Sequence, residues 1–308
     1  MRPAPYPVTL RQLQYLVAVA EARSFRRAAE ACRVSQPSLS AQVAEAERAL
    51  GVRLFERDRR RVLVTAAGES LLSRARRVLI EADDLLEAAR SGADPLAGTL
   101  RIGVIPTVGP YLLPRAAPAL REALPGLQIV WEEDKTSALV RRVAAGELDA
   151  ALLAREAELG DLVQAELARD PFVLAAPPGH PLARGGEPLR PKALEGERVL
   201  LLDDGHCLRD QALAVCSRAH AEELGFRATS LSTLVQMVAS GAGVTLLPRI
   251  AVETEASRAG LRTRPFAEPA PGRTLVLAWR RGGATEPALR AVADVVARAA
   301  VEPARRRR

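Results

Sequence analysis

The segment 203–216, DDGHCLRDQALAVC, holds two of the three cysteines of the 308-residue chain. A thiol reacts as its thiolate, which nearby cations or a helix N-terminus stabilise. His206 directly precedes Cys207, and Arg209 follows it two positions later. Cys207 therefore has the local sequence of a reactive cysteine, and Cys216 is its obvious partner for a disulfide.

The spacing of these two cysteines predicts a conformational change on oxidation. The residues from Leu208 onward favour a helix, and nine helical steps of about 1.5 Å place the two Cα atoms roughly 13 Å apart, on opposite sides of the axis. A disulfide needs Cα atoms within about 7 Å of each other. The bond between Cys207 and Cys216 would therefore form only after the helix unwinds, as in a switch.

Two other interpretations of the cysteines stay open. Both could be reduced, buried thiols without a redox role. Alternatively, Cys216 and His220, four positions apart on one helical face, could bind a metal ion together with His206 and Cys207. Because that spacing differs from ordinary zinc sites, we predict no resident metal ion, and we predict no cofactor.

The composition indicates two or three compact units with a core of Leu, Val and Ala, since only 3% of the residues are aromatic. No apolar run reaches the roughly 18 residues of a membrane-spanning helix, and residues 1–7 lack the apolar stretch of a signal peptide. We therefore expect a cytoplasmic protein without a membrane partner, in a compartment where disulfides are more often transient than structural.

Positive charge is concentrated at the two ends of the chain. Residues 1–65 hold twelve arginines and six acidic residues, in a chain whose net charge is +7. A basic N-terminal domain is typical of a nucleic-acid binder with a separate sensing part. The basic tail 305–308, from Arg305 to Arg308, could contact DNA, although a solvated end is the more ordinary interpretation.

The N-terminal pattern predicts a helix-turn-helix. Apolar spacing predicts a first helix over 10–22, Ser24 is placed to cap a second over 25–32, and Ser35 to cap a third. The last of these helices would enter the major groove N-terminus first, although a polar solvated helix face would look similar. Its candidate contacts to bases and phosphates are Ser35, Gln36, Pro37, Ser38, Ser40 and Gln42.

A wing and a long helix are predicted next. Residues 62–64 favour a strand, and arginines beside it could meet the phosphate backbone without reading sequence. Over 66–90, apolar residues at alternating steps of four and three predict a helix that pairs with a second chain, although packing onto the chain's own body would give the same stripe. The wing arginines are Arg57, Arg59, Arg60 and Arg61. These patterns predict a winged helix-turn-helix domain over 1–65 and a linker helix with hinge over 66–97.

From residue 98 the pattern alternates between strands and helices, which predicts an α/β domain with a largely parallel sheet. Ligands of such sheets bind beyond the carboxyl ends of the strands. Thr107 and Thr136 belong at that edge and could hold a small polar ligand, but as helix-capping residues they would look the same. The predicted strands are 100–105, 127–132 and 148–153, and the predicted helices 112–123 and 136–145.

The rest of the chain predicts a second lobe and a return to the first. We expect a regulatory domain over 98–304, with lobe I over about 98–168 and 273–300 and lobe II over about 169–272, and Cys207 near the cleft. Strands are expected at 172–176, 199–202, 244–247 and 274–279, and helices at 230–240 and 287–300.

With these residues in view, the chain resembles the LysR-type transcriptional regulators, and among them a hydrogen peroxide-sensing subfamily. The motifs SFRRAA (24–29), VSQPSLS (34–40) and LFER (54–57) are those of the family's winged helix-turn-helix. The subfamily is indicated by GVIPTVGPYLLP (103–114), GHCLRDQA (205–212) followed by Cys216, and FRATSL (226–231). The likeness extends from about residue 9 to 300.

The resemblance implies a winged helix-turn-helix, a linker helix and a two-lobed α/β regulatory domain like periplasmic binding proteins. It further implies that hydrogen peroxide oxidises Cys207 to a sulfenic acid and that Cys216 resolves it as a disulfide. In this family the peroxide pocket is lined by residues matching Thr107, Thr136, His206 and Arg209. Ala214 and Val215 depart from the glycine and aromatic residue expected before the second cysteine, which affects the packing of the oxidised loop.

The resemblance also implies the partners of the protein. It predicts a homotetramer, a dimer of dimers, that binds promoter DNA, recruits RNA polymerase and is reset by a thiol reductant of the glutaredoxin or thioredoxin type. Cys32, inside the helix-turn-helix, is interpreted as an ordinary buried thiol. We therefore predict a transcription activator of oxidative-stress genes and not an enzyme. The alternatives are a LysR-type regulator that binds a small organic effector in the cleft, and a thiol peroxidase.

Overall fold

The structure, a computed structural model, describes residues 6–57, 62–90, 94–283 and 285–301. The chain divides into two compact units, Met1–Gly92 and Ala93–Arg308. No helix in the described ranges is long and apolar enough to cross a membrane.

Side-chain caps set the helices of the first unit, as predicted. Ser24 accepts a hydrogen bond from the N–H of Arg27, and Ser35 accepts one from the N–H of Ser38. Thr9 adds a capping box at the first helix. The buried apolar side chains of the three helices form one core. The helices are α1 (Leu10–Ala22), α2 (Phe25–Ala31) and α3 (Gln36–Leu50).

The predicted wing strand and long helix are also confirmed. Strands β1 (Phe55–Arg57) and β2 (Val62–Val64) pair antiparallel. Helix α4 (Ala66–Arg90) follows, and its first turn is capped by Thr65, whose Oγ1 accepts from the N–H of Gly68 at 2.9 Å. The apolar side chains Val78, Leu85 and Leu86 of α4 are exposed in the single chain, and their pairing with a second chain stays a prediction.

The second unit alternates strands and helices around a seven-stranded sheet. The elements are β3 (Gly98–Val104), α5 (Gly109–Ala123), β4 (Leu127–Glu133), α6 (Thr136–Ala145), β5 (Ala150–Ala154), β6 (Val163–Ala176), β7 (Arg198–Leu202), α7 (Cys207–Arg218), β8 (Glu222–Ala228), α8 (Leu231–Ala239), β9 (Thr245–Pro248), β10 (Arg262–Pro265), β11 (Gly272–Trp279) and α9 (Glu286–Val301). The sheet has the strand order β10-β6-β11-β5-β3-β4, and β9 also pairs with β6; β7 and β8 form a separate parallel pair.

The prediction of a largely parallel sheet holds for three strands and is wrong for the sheet as a whole. Strand β3 pairs parallel with β4 and β5, but β11 pairs antiparallel with β5 and β6, and β9 and β10 pair antiparallel with β6. The cause is the 14-residue strand β6. Strand β11 pairs with the first half of β6, and strands β9 and β10 pair with its second half. All three of these later strands run antiparallel to β6. The predicted lobe boundaries stay a prediction.

Candidate functional site

Cys207 is the first residue of α7, directly after a sharp turn. The buried strand β7 ends at Leu202, and Gly205 turns the chain with φ +87, a left-handed conformation that favours glycine. A Cβ atom at Gly205 would lie 3.0 Å from Cδ of Lys135. The turn is therefore tight against α6, and it delivers the Cys207 thiol at a helix N-terminus.

One face of α7 forms a wall of a cavity of about 820 Å³. Cys207, Gln211, Ala214 and Arg218 follow one another at helical spacing along that wall. The other walls come from α6, from the turn after β5 and from β6 and β11; they include Thr136, Arg141, Glu158, Phe172 and Gly272. Cys207 thus lies at the wall of a space that is large enough for a small molecule.

Two polar groups at this cavity are buried without hydrogen-bond partners in the described part of the chain. They are Oγ1 of Thr136 and both amide atoms of Gln211. A buried polar group that lacks a partner costs about 1–3 kcal/mol. Lys135, not Thr136, is the cap residue of α6, and the Thr136 side chain does not cap it. The two groups can therefore serve a ligand that both donates and accepts hydrogen bonds.

His206 supplies no positive charge to the thiol at neutral pH. Burial lowers the pKa of His206, and the nearby Lys135 ammonium lowers it further, while Asp203 opposes these effects. Its Nε2 atom is buried and has no hydrogen-bond partner among the described residues. His206 is thus a neutral imidazole beside Cys207.

Arg209 is buried and already paired with carboxylates. Its Nε lies 2.9 Å from Asp204, and a terminal nitrogen lies 2.8 Å from Glu223. The other terminal nitrogen donates to the carbonyl oxygen of Leu202 at 3.2 Å. Arg209 is not part of the wall of the cavity that Cys207 lines within the described chain.

Thr107 belongs to a buried network that the sequence did not reveal. Its Oγ1 accepts a hydrogen bond from Arg273 at 2.7 Å, and its carbonyl oxygen accepts another at 2.9 Å. Arg273, fully buried, pairs in turn with Asp170 at 3.0 Å. Because Arg273 and Asp170 lie 103 positions apart, only the pairing of β11 with β6 brings them together.

Cys216 lies on the other side of α7, in a different hydrophobic core. Cys207 packs with the core of the large sheet, whereas Cys216 packs with residues such as Val199, Leu246 and Phe266. Burial raises the pKa of Cys216 to about 11, and the negative charge of Glu223 adds to that effect. Both cysteines are free thiols.

The residues of the alternative metal site do not form a cluster in the described structure. No three His, Cys, Asp or Glu side chains among the described residues lie close enough together to hold a metal ion. His220 is exposed and follows the end of α7.

The predicted DNA contacts lie along the first turns of α3. Ser35, Gln36, Pro37 and Ser38 are exposed, and Ser40 is half-buried. The amide nitrogen of Gln42 donates to Glu45 at 3.1 Å on the same helix. The side chain of Arg57, the wing residues Arg59, Arg60 and Arg61, and the tail from Arg305 to Arg308 lie outside the described residues.

Family models match both units of the chain. Residues 10–69 match the bacterial regulatory helix-turn-helix protein, lysR family, and residues 93–301 match the LysR substrate binding domain.

Relatives of known name resemble the chain over nearly its whole length. A hydrogen peroxide-inducible genes activator of Dickeya chrysanthemi is 46% identical, covering 94% of this chain and 95% of that protein. Full-length OxyR of Pseudomonas aeruginosa, with a cysteine replaced by aspartate, has a TM-score of 0.79 at 36% identity and 94% coverage of both chains. A hydrogen peroxide-bound OxyR of Corynebacterium glutamicum, with a cysteine replaced by serine, has a TM-score of 0.65 at 35% identity and covers 96% of this chain and 94% of that one. The chain therefore belongs to the LysR family of bacterial helix-turn-helix regulators, in the group of the hydrogen peroxide-inducible genes activators, or OxyR proteins.

Proposed function

We propose that this chain is a transcription regulator that senses hydrogen peroxide through Cys207 and activates oxidative-stress genes. The observation that carries the proposal is the placement of two free thiols on one helix. Cys207 lines a cavity and Cys216 is shielded in a separate core. The names of the relatives, which describe peroxide-inducible activators, support the same conclusion for this chain.

The proposed chemistry has two steps. In the first, the Cys207 thiolate attacks one oxygen of hydrogen peroxide and the O–O bond breaks. The hydroxide that leaves takes up the proton that the Cys207 thiol released, so that Cys207 sulfenic acid and water form. We propose that Oγ1 of Thr136 and the amide of Gln211, which line the same cavity as Cys207, bind the two oxygens. Arg273 donates a hydrogen bond to Thr107 and so fixes its hydroxyl. In the second step, the Cys216 thiol displaces water from the sulfenic acid and a disulfide forms.

The first unit supplies the DNA contacts in this proposal. Helix α3 presents Gln36 and Ser38 at its N-terminus, where hydrogen-bonding side chains read base edges and backbone N–H groups bind phosphate. The wing arginines Arg57, Arg59, Arg60 and Arg61 add affinity for phosphates that does not depend on sequence.

The proposal includes the partners and the compartment. We expect a cytoplasmic homotetramer that pairs through α4 and through the regulatory domain, binds promoter DNA and recruits RNA polymerase. The exposed apolar residues of α4 support the pairing of this helix with α4 of a second chain. A disulfide that switches in the cytoplasm needs a reductant of the glutaredoxin or thioredoxin type to reset it.

The proposal is tested by transcription in the native host. The gene is deleted and complemented with wild type, Cys207→Ser or, as a matched control, Cys32→Ser, and transcripts are sequenced before and after a hydrogen peroxide pulse. Wild type and Cys32→Ser should restore the peroxide-induced transcripts, whereas Cys207→Ser should not. An intact peroxide response with Cys207→Ser contradicts the proposal.

The size of the cavity supports a second candidate function, the binding of a small organic effector. A volume of about 820 Å³ far exceeds that of a peroxide molecule, and charged side chains such as Arg141, Glu158 and Arg218 line it. A LysR-type regulator of a small organic effector would use such a space. Saturable metabolite binding to Cys207→Ser with promoter activation intact would favour this candidate. Continuous turnover of peroxide with excess reductant would instead favour a thiol peroxidase.

A further inference from the structure

Arg209 ties the first turn of α7 to three neighbouring segments. It contacts Asp204 in the preceding turn, Glu223 on β8 and the carbonyl oxygen of Leu202 at the end of β7. The Arg209 side chain is only 7% exposed, and its planar guanidinium fixes several hydrogen bonds at once. Asp204 is held from its other oxygen by Arg227 of β8, so the partners of Arg209 are themselves anchored.

Disulfide formation requires these ties to break. In the helix the Cα atoms of Cys207 and Cys216 lie roughly 13 Å apart, and a disulfide needs them within about 7 Å. Arg209 belongs to the segment that must unwind, whereas Leu202 and Glu223 belong to the paired strands β7 and β8. The contacts therefore stabilise the reduced, helical form in particular.

We propose that Arg209, Asp204 and Glu223 form a lock that holds α7 helical and sets the rate and the equilibrium of disulfide formation. The inference rests on the proposed function, since it concerns the second step of that chemistry. Arg209 is then a positioning residue for this step, and it does not activate the Cys207 thiol. Weakening the lock should leave the oxidation of Cys207 unchanged and should speed the conversion of sulfenic acid to disulfide.

Two variants separate the lock from a direct effect on Cys216. Glu223→Gln weakens the lock but also removes a charge that raises the pKa of Cys216. Asp204→Asn weakens the contact with Arg209, and Asp204 is not among the causes of that pKa shift. Glu222→Gln, an exposed neighbour on β8, is the matched control for loss of one negative charge.

The experiment uses the full-length protein and measures the two steps separately. Sulfenic acid formation is followed with a trapping reagent in a Cys216→Ser background, and disulfide formation by mass shift after a stoichiometric hydrogen peroxide pulse. The first rate should be the same in all variants. The second should rise about fivefold in Glu223→Gln and about twofold in Asp204→Asn, because the side chain of Asp204 is 67% exposed and that of Glu223 only 33%.

The redox midpoint potential gives an independent readout. A fivefold shift toward the disulfide makes the potential about 20 mV more negative, since tenfold corresponds to about 30 mV for two electrons. Sulfenic acid formation with unchanged second-step rates and potentials in both variants overturns the lock. The lock is also overturned if Glu223→Gln speeds disulfide formation and Asp204→Asn does not. Absence of sulfenic acid in every variant instead refutes the proposed function.

Discussion

Cys207 and Cys216 lie on the same helix but in unlike surroundings. Cys207 stands at the N-terminus of α7 beside a cavity and unpartnered polar groups. Cys216 is packed among apolar side chains, and burial raises its pKa to about 11. The difference matches the roles we propose, in which a small oxidant reaches Cys207 first and Cys216 reacts only after the helix unwinds.

The difference in packing between the core around Cys216 and the cavity beside Cys207 should give the largest effect, a loss of unfolding free energy. Leu246, which is 2% exposed, belongs to the core that contains Cys216. Leu246→Ala should cost about 3 kcal/mol of unfolding free energy, because it leaves a void in a closely packed core. Val140→Ala at the wall of the cavity should cost less than about 1 kcal/mol, since the space there is already open. Urea denaturation of both reduced variants checks this, and equal losses would contradict the contrast.

The raised pKa of Cys216 should give an effect of intermediate size, on the pH dependence of stability. Because the pKa of Cys216 is raised from 9.0 to about 11 in the folded chain, the folded state keeps this proton at a pH where the unfolded state releases it. The stability that the retained proton contributes should therefore be complete below about pH 9 and fall by about 2 kcal/mol as the pH rises to 11.

The matched control for this titration is Cys216→Ser, which lacks the ionisable thiol. Denaturation curves of the two reduced proteins from pH 8 to 11 should diverge, with wild type losing more stability. Parallel pH dependences would show that Cys216 is not shielded as described.

The smallest effect concerns the unpartnered hydroxyl at the cavity. Thr136→Val removes Oγ1 with little change of shape, so the oxidation of Cys207 by hydrogen peroxide should slow by about tenfold, the value of one hydrogen bond to a reacting group. Ser137→Ala, a neighbour at the same wall, is the control. Stopped-flow sulfenic acid trapping measures both rates. An unchanged rate in Thr136→Val would remove this hydroxyl from the peroxide site.

Local signals in the sequence predicted much of the fold. The caps Ser24 and Ser35, and the helix that joins the two cysteines, depend on neighbouring residues and are confirmed by the structure. The first half of β6 was not predicted because polar residues interrupt it, and its pairing with β11 is between distant parts of the chain.

The candidate site was less predictable because burial and distant pairs decide its electrostatics. The sequence places His206 and Arg209 beside Cys207, but it does not show that burial keeps the imidazole neutral or that Asp204 and Glu223 take up the guanidinium charge. The contact of Arg273 with Thr107 spans 166 positions. Such contacts exist only once the strands are paired.

Non-reducing peptide mapping after a stoichiometric hydrogen peroxide pulse tests the division of roles between the two thiols most directly. The account predicts a rapid disulfide between Cys207 and Cys216 in wild type, and a sulfenic acid trapped at Cys207 in Cys216→Ser. A free Cys207 thiol after the pulse, or a sulfenic acid found first at Cys216, would contradict it.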